Sequence, residues 1–260
     1  MIPVDLNCSA AGPAEAPVLL LGGSLGTTLD MWEPQVAPLS QGRRVICFEH
    51  RGHGGSPVPN GPYTMDDLGQ DVLTMIDRLG LERVSYCGLS IGGMVGQWLA
   101  INAPDRIDRL VLICTSAYLP PAEGWRDRAA AVRAAGTPEV VADAVLGRWF
   151  TSPFAAANPG LVAHYRAMIS SISAEGYAGC CEAIATMDLR GGLPGITTPT
   201  LVIAGRQDPS IPPEHGEAIA AAIPGARCEV LDPAAHLASV ERAAEVTALI
   251  AGHLGTGSGS

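Results

Sequence analysis

The chain has 260 residues, of which 47% are hydrophobic and 16% are charged, and its formal net charge at pH 7 is −10. This composition supports one sizeable hydrophobic core and excludes a disordered or fibrous protein. Nucleic acid is not an expected partner, because binding to a phosphate backbone depends on clustered cations.

Short apolar runs rich in Val, Ile and Leu recur along the chain without polar alternation, which is typical of strands buried on both faces of a parallel sheet. They lie at residues 17–21, 44–48, 83–87, 110–114, 200–204 and 228–231. Helical patterns alternate with these runs, at residues 65–79, 91–102, 213–223 and 239–254. This alternation predicts an α/β fold with a mostly parallel central sheet covered by helices.

Residues 118–190 interrupt the alternation, because they contain Ala-rich helical stretches and no convincing strand. We interpret them as a helical cap inserted between two strands of a core formed by residues 1–117 and 191–254. The tail at 255–260, GTGSGS, has the composition of a flexible linker or tag and is left out of the fold prediction.

Several cofactor and membrane functions are not expected from the residue inventory. No run of about 18 apolar residues and no secretory signal is evident, which predicts a cytoplasmic protein without a membrane partner. All sixteen basic residues are arginine, and this excludes lysine Schiff bases and the P-loop lysine. The seven cysteines include no CxxC pair and no HExxH motif occurs, so we expect reduced core thiols, no metal and no cofactor.

The segment CGLSIGG at 87–93 connects a predicted strand to a predicted helix, which is the context of a nucleophile elbow. Gly88 and Gly92 flank Ser90 where a Cβ would clash in so tight a turn. The helix N-terminus favours a negative charge that develops beside Ser90. The alternatives are a plain glycine turn and a dinucleotide loop, but the latter would be expected after the first strand.

A serine nucleophile needs a base and an acid that orients the base. Of six histidines, His236 alone follows a predicted strand in a short loop, DPAAH, before the last helix. Asp208 follows another predicted strand at the carboxyl edge of the sheet, where sites of open α/β folds lie. Asp232 is a rival acid four residues before the histidine, and Asp188 is a weaker one. The order Ser90, Asp208, His236 is the order of α/β-hydrolases.

Two backbone N–H groups should hold the oxyanion of a tetrahedral intermediate. One belongs to Ile91, directly after the serine, and the predicted second donor is Leu25 in LLLGGSLGTT, after the first predicted strand. A phosphate cradle is the alternative for this loop, but no lysine and no helix signature follow it. The histidine-containing segment RGHGGSP at 51–57 is interpreted as a structural turn shaped by Arg51 and its glycines.

Nearly the whole chain up to about Leu254 resembles the 3-oxoadipate enol-lactonase family of α/β-hydrolases. The resemblance rests on SLGTTLDMW, RGHGGS, GLSIGGMVGQWLAINAPDRI, GRWF, MDLR, PTLVIAGRQDPSIPP and AAHLASVE. It implies an α/β-hydrolase fold and hydrolysis of 3-oxoadipate enol-lactone to 3-oxoadipate in the β-ketoadipate pathway of aromatic degradation. It also places Ser90, Asp208 and His236 at the triad positions. One departure is Gly23, where the family usually has Asn.

The substrate implied by this resemblance is a small lactone that carries a free carboxylate, so a protein of charge −10 needs a local cation. The candidates are five arginines of the predicted cap: Arg126, Arg128, Arg133, Arg148 and Arg166. Arg133 is predicted to line the substrate pocket together with Trp125 and Trp149. Core packing is the alternative role for either tryptophan. Rival functions are a general esterase or lactonase, a carbon–carbon bond hydrolase, a cofactor-free haloperoxidase-like enzyme and a non-catalytic ligand-binding protein of the same fold.

Overall fold

A computed structural model describes residues 1–255 of the chain. Within this range the strands are β1 (Cys8–Ala11), β2 (Val18–Gly22), β3 (Arg44–Phe48), β4 (Val84–Leu89), β5 (Ile107–Ile113), β6 (Thr200–Gly205) and β7 (Arg227–Leu231). They form one sheet in the order β1-β3-β2-β4-β5-β6-β7. β1 is antiparallel to β3, and all other neighbouring strands are parallel. The predicted α/β fold with a mostly parallel sheet is confirmed.

Helices cover both faces of this sheet and fill the segment between β5 and β6. Within residues 1–255 they are α1 (Glu33–Leu39), α2 (Met65–Arg78), α3 (Ile91–Asn102), α4 (Ala122–Ala135), α5 (Glu139–Trp149), α6 (Ser152–Ala157), α7 (Pro159–Ser171), α8 (Ala174–Thr186), α9 (Pro213–Ala222), α10 (Ala238–Glu241) and α11 (Ala243–Leu254). Helices α4–α8 lie in the region predicted as a cap, and a β-bridge between Tyr118 and Asp188 joins its two ends.

Two hydrophobic clusters, one on each face, hold the helices to the sheet. Successive residues of β2 illustrate the alternation: Leu20 belongs to the cluster that α2 and α3 cover, whereas Leu19 and Leu21 belong to the cluster beneath α10 and α11. All three side chains are fully buried. Burial on both faces explains why the parallel strands are continuous apolar runs in the sequence.

Three elements differ from the prediction. Strand β1 was not predicted, since its four residues CSAA place two exposed residues between two half-buried ones and form no apolar run. Helix α1 and the 3₁₀ turn before it were also not predicted. The single helix predicted over 239–254 is two helices, because Arg242 leaves the helical region at φ −120° and ψ 45°. The tail predicted as a linker lies, from residue 256 on, outside the described residues.

The fold gathers several loops at one edge of the sheet. The loops that carry Leu25, Ser90, Asp208 and His236 follow the carboxyl ends of β2, β4, β6 and β7. Parallel strands end at a common edge, so residues far apart in sequence come together there.

Candidate active site

Ser90 occupies the sharp turn between β4 and α3. Its backbone has φ 57° and ψ −118°, a conformation that non-glycine residues rarely adopt. The turn is held by hydrogen bonds from the Ser90 N–H to the Ile113 carbonyl (2.9 Å) and from the Thr115 hydroxyl to the Ser90 carbonyl (2.7 Å). The side chain is therefore presented by a rigid turn at the N-terminus of a 12-residue helix.

The glycines beside Ser90 are required by close backbone contacts. A Cβ at Gly88 would overlap the carbonyl of Gly92, and a Cβ at Gly92 would overlap the carbonyl of Gly22 at the end of β2. These overlaps involve backbone atoms, which cannot rotate away. The segment is consequently a packed elbow and not a flexible turn.

His236 and Asp208 form a buried pair 2.7 Å apart, between the imidazole Nδ1 and the carboxylate Oδ2. Only 4% of His236 and 3% of Asp208 is exposed. The other carboxylate oxygen, Oδ1, accepts backbone N–H groups of Ser210 (2.8 Å) and Ile211 (3.0 Å), which fix its orientation. Since a carboxylate only accepts hydrogen bonds, Nδ1 of His236 carries the ring proton, and Nε2 is left free to accept a proton.

The two rival acids lie elsewhere. The Asp232 carboxylate accepts a hydrogen bond from the Gln207 side chain at 2.8 Å on the exposed surface. Asp188 is paired with Arg190 at 2.6 Å and is also exposed. Neither carboxylate contacts the His236 ring among the bonds found in residues 1–255, which leaves Asp208 as the acid that the geometry favours.

The loop after β2 runs beside the elbow. The Gly23 carbonyl accepts the Gly92 N–H at 3.1 Å, which ties the loop directly to the start of α3. Leu25 and Ser90 line the same cavity. Within residues 1–255, the N–H groups of Leu25 and Ile91 have no protein acceptor, so both are available to hold an oxygen at the predicted oxyanion site.

One cavity brings the predicted residues together. It encloses about 440 Å³ of space, a figure that includes its open mouth. Its walls combine predicted site residues, among them Ser90, His236 and Leu25, with two tryptophans, two of the candidate arginines and residues that the prediction did not name. They are Ser24, Leu25, Ser90, Met94, Leu119, Trp125, Arg128, Val145, Arg148, Trp149, Tyr177, Ile184, Ser210, Ile211 and His236.

The prediction of Arg133 as a pocket residue does not agree with this arrangement. Its guanidinium is held by Glu175 (2.7 Å) and Glu182 (2.5 Å) on α8, and these hydrogen bonds raise its pKa. The side chain therefore joins α4 to α8 and does not line the cavity. Arg166 likewise pairs with Glu139 and Asp143 on the cap surface.

Arg128 and Arg148 are the arginines that reach the cavity. Both are half-buried, and neither forms a salt bridge within residues 1–255. Burial, together with the neighbouring charge of Arg128, lowers the pKa of Arg148. The Arg128 guanidinium lies 4.6 Å from the ring centre of Trp125. Two guanidinium cations that form no salt bridge within residues 1–255 give this end of the cavity a positive charge that can attract an anion.

Some residues in or beside the candidate site could not be recognised from the sequence. Tyr177 is buried in the cavity wall, and burial raises its pKa, so its phenol stays protonated. His53, in the segment 51–57 interpreted as a structural turn, and His50, directly before that segment, lie beneath the loop that carries Leu25. The only sequence signal for them is the pair of histidines in HRGHG.

The described residues contain neither a side-chain cluster suited to a metal ion nor a helix suited to crossing a membrane. In residues 1–255, no group of three or more His, Cys, Asp or Glu side chains is placed to hold a metal ion. Over the same residues, no helix combines the length and the apolar character needed to cross a bilayer.

Comparison with known proteins places the chain among hydrolases. Residues 16–243 match the family model described as alpha/beta hydrolase fold. The chain is 42% identical to 3-oxoadipate enol-lactonase 2 of Acinetobacter baylyi, over 92% of this chain and 89% of that protein. Its structure matches a hydrolase from Pseudomonas aeruginosa with a TM-score of 0.94 and 45% identity, over 97% and 95% of the two chains. It matches the enol-lactonase from Burkholderia xenovorans with a TM-score of 0.94 and 43% identity, over 96% of each chain.

Proposed function

The chain belongs to the α/β-hydrolase fold family and, within it, to the 3-oxoadipate enol-lactonases, and we propose that it hydrolyses 3-oxoadipate enol-lactone with Ser90, His236 and Asp208 as its catalytic triad. Such an enzyme is a carboxylic-ester hydrolase of the β-ketoadipate pathway. The observation that carries the proposal is one cavity that joins Ser90 and His236 to two arginines that form no salt bridge within residues 1–255.

In the first step, His236 Nε2 removes the proton of the Ser90 hydroxyl as the oxygen attacks the lactone carbonyl. The bond to Asp208 keeps the proton on Nδ1 and stabilises the imidazolium that forms. The strained turn holds the serine in place, so little reorientation is needed before the attack.

The attack converts the carbonyl oxygen into an oxyanion. The Leu25 and Ile91 N–H groups are the proposed donors to this oxygen, and the positive end of the α3 dipole adds to them. The ring C–O bond then breaks, and its oxygen departs as an enolate, which takes the proton from the His236 imidazolium and tautomerises to the ketone. Delocalisation of the enolate makes it a better leaving group than an ordinary alkoxide.

In the second step, His236 activates a water molecule that attacks the acyl-enzyme carbonyl. Collapse of the second tetrahedral intermediate releases Ser90 and gives 3-oxoadipate, which carries two carboxylates where the lactone carried one. The balance is one water consumed for one ester bond cleaved. Aspartate, histidine and serine return to their starting protonation states.

Arg128 and Arg148 are the proposed partners of the substrate carboxylate. Each guanidinium can form charge-assisted hydrogen bonds, which are stronger than neutral ones and are strengthened further by partial burial. Trp125 and Trp149 provide the apolar wall against the lactone ring. The N–H groups of the Arg133 guanidinium donate to Glu175 and Glu182 instead, so Arg133 is not proposed to bind the substrate carboxylate.

We propose the cytoplasm as the location of the reaction. Cys47, Cys87, Cys114, Cys180 and Cys181 are free buried thiols, which suits a reducing compartment.

The proposed substrate can be tested against close analogues. Hydrolysis of freshly generated 3-oxoadipate enol-lactone, and of its methyl ester at the side-chain carboxylate, is followed by loss of ultraviolet absorbance. Hydrolysis of p-nitrophenyl acetate is followed by the absorbance of the p-nitrophenolate that is released. We expect kcat/KM for the charged lactone to exceed that for its methyl ester by at least about 10-fold, since a charge-assisted hydrogen bond contributes about 1.5–3 kcal/mol. Turnover of the simple ester without turnover of either lactone would refute the proposed substrate.

A further inference from the structure

Two buried imidazoles contact the two ends of the short loop that carries Leu25. The His50 Nε2 lies 3.1 Å from the Gly23 carbonyl oxygen, and the Gly26 N–H donates to His53 Nε2 at 3.0 Å. Both histidines come from the segment after β3, about 27 residues further along the chain. Only 3% of His50 and none of His53 is exposed.

The bonds fix the tautomer of each ring. A backbone N–H only donates, so His53 Nε2 must offer its lone pair to Gly26. The His53 Nδ1 lies 3.2 Å from the Arg51 carbonyl, which only accepts, so Nδ1 carries the proton. The His50 Nε2 faces a carbonyl and must carry its proton. Thus one ring donates to the loop at Gly23 and the other accepts from it at Gly26.

These contacts enclose the predicted oxyanion donor. Leu25 lies between Gly23 and Gly26, and its own N–H has no protein acceptor within residues 1–255. The Gly23 carbonyl also accepts the N–H of Gly92, which directly follows Ile91. One hydrogen-bonded frame consequently connects the histidines, the Leu25 loop and the elbow that supplies the second donor.

We propose that His50 and His53 are positioning residues that hold the Leu25 N–H at the oxyanion site through their opposite tautomers. This inference rests on the proposed function, because it takes Ser90 as the nucleophile and Leu25 as an oxyanion donor. Neither histidine touches the substrate cavity. Their effect on the reaction passes through the backbone of the loop.

The surroundings of the two rings keep them neutral. Burial lowers the pKa of His53 to about 4 and that of His50 to about 3. The rings lie 6.3 Å apart, so a charge on one would also repel a charge on the other. The ionisable groups nearby are engaged: Arg51 pairs with Asp71, Glu49 accepts the N–H groups of Leu29 and Gly55, and the Cys180 thiol donates to the Arg51 carbonyl.

Protonation of His53 would also destroy its contact with the loop. An imidazolium presents an N–H at Nε2, which would face the N–H of Gly26 with no acceptor between them. A neutral ring is therefore a condition for the geometry seen here. A histidine that served only to fill space would have no such requirement on its protonation state.

Two amide substitutions at His53 separate positioning from packing. His53→Gln places an amide oxygen near the position of Nε2 and can still accept from Gly26. His53→Asn places its amide near the position of Nδ1, so it keeps the contact with Arg51 and loses the one with Gly26. His164→Asn, at an exposed position on α7, is the matched control.

We measure kcat and KM with the enol-lactone and with p-nitrophenyl acetate, the inhibition constant of phenylboronic acid, and the melting temperature. Loss of a whole oxyanion donor typically lowers kcat about 10²–10³-fold. For displacement of the donor in His53→Asn, we expect kcat about 10- to 100-fold lower, KM within about twofold, and boronate binding weakened in parallel with kcat. His53→Gln should recover at least about a third of the wild-type kcat.

Equal kcat in His53→Asn and His53→Gln would overturn the proposal, as would a change confined to KM or to melting temperature. If His53→Asn does not fold, the pair His50→Gln and His50→Asn applies the same test at Gly23, where only Gln keeps a donor within reach. Side-chain ¹⁵N shifts of the wild-type protein add a direct observation: Nδ1–H at His53 and Nε2–H at His50 support the frame, and either opposite tautomer refutes it.

Ser90→Ala separates this inference from the proposed function. If Ser90→Ala keeps its activity, the nucleophile and the proposed function fail. If Ser90→Ala is inactive and His53→Asn equals the wild type, only the positioning role fails. The simple ester reports on the oxyanion site whichever lactone is the substrate.

Discussion

Replacement of Asp208 by asparagine should inactivate the enzyme without unfolding it. The backbone N–H groups of Ser210 and Ile211 donate to one oxygen of the carboxylate at 2.8 and 3.0 Å. In Asp208→Asn the amide oxygen must face these donors, since an NH₂ group there would oppose the two backbone N–H groups with no acceptor between them. The NH₂ group then faces His236, where it forces Nδ1 to accept a hydrogen bond and transfers the ring proton to Nε2.

A histidine that is protonated at Nε2 cannot take the proton of Ser90. In serine hydrolases with a triad, this wrong tautomer lowers kcat about 10⁴-fold, which corresponds to about 5.4 kcal/mol of lost transition-state stabilisation. We expect the same order of loss here in steady-state hydrolysis of the enol-lactone. KM should change little, because Asp208 does not line the cavity.

Asp232→Asn is the matched control, since Asp232 is the nearby exposed carboxylate that the sequence offered as a rival. Its kcat should stay within about twofold of the wild-type value. Circular dichroism and melting temperature check that both variants are folded. A loss of kcat below about 10-fold in Asp208→Asn, or an equal loss of kcat in Asp232→Asn, would refute the role of Asp208 in fixing the tautomer of His236.

Three further predictions follow from the described contacts. Arg148→Gln should raise KM for the enol-lactone about 10- to 100-fold, since a charged hydrogen bond contributes about 1.5–3 kcal/mol. Arg133→Gln should instead lower the melting temperature and leave KM within about twofold of the wild-type value. Equal KM values in the two variants would contradict this prediction. Gly92→Ala should be inactive or unfolded in activity and circular dichroism assays, because its Cβ would overlap backbone at the end of β2. The free energy of unfolding should be largest above pH 6.5 and should fall as the pH is lowered from about 6.5 to about 4, since the unfolded chain binds protons at His50 and His53 that the folded protein excludes. In denaturant titrations this fall should be shallower for His53→Gln than for the wild type. An equal dependence of the unfolding free energy on pH in the two proteins would contradict the prediction.

The core of the fold could be predicted because a strand that is buried on both faces needs apolar residues at successive positions of the sequence. Parallel strands such as β4 and β6 are buried at every position, and an apolar run is the direct result. The edge strand β1 has no such requirement, since only its pairing with β3 defines it. The break at Arg242 was not predictable either, because the apolar pattern continues across it.

The positions of the proposed triad depend on local context that the sequence retains. Ser90 lies at a strand–helix junction between two glycines, and Asp208 and His236 each follow a strand. The arginines carry no such context. Arg128 and Arg133 lie on the same helix, and only the glutamates of α8, more than forty residues away, decide which of them is neutralised.

The support of the Leu25 loop is a second case of long-range geometry. The turn that holds His50 and His53 was correctly placed after a strand, but the partners of the two rings lie 27 residues earlier in the chain. No periodicity links such positions. Their relation becomes visible only when β2 and β3 lie side by side in the sheet.

The proposed reaction is tested most directly by hydrolysis of freshly generated 3-oxoadipate enol-lactone by the wild-type protein and by Ser90→Ala, measured side by side with equal amounts of folded protein. We expect rapid turnover to 3-oxoadipate by the wild type and a loss of at least about 10⁴-fold in kcat for Ser90→Ala. Turnover that survives in Ser90→Ala would contradict it, and so would a wild-type protein that leaves the lactone unopened.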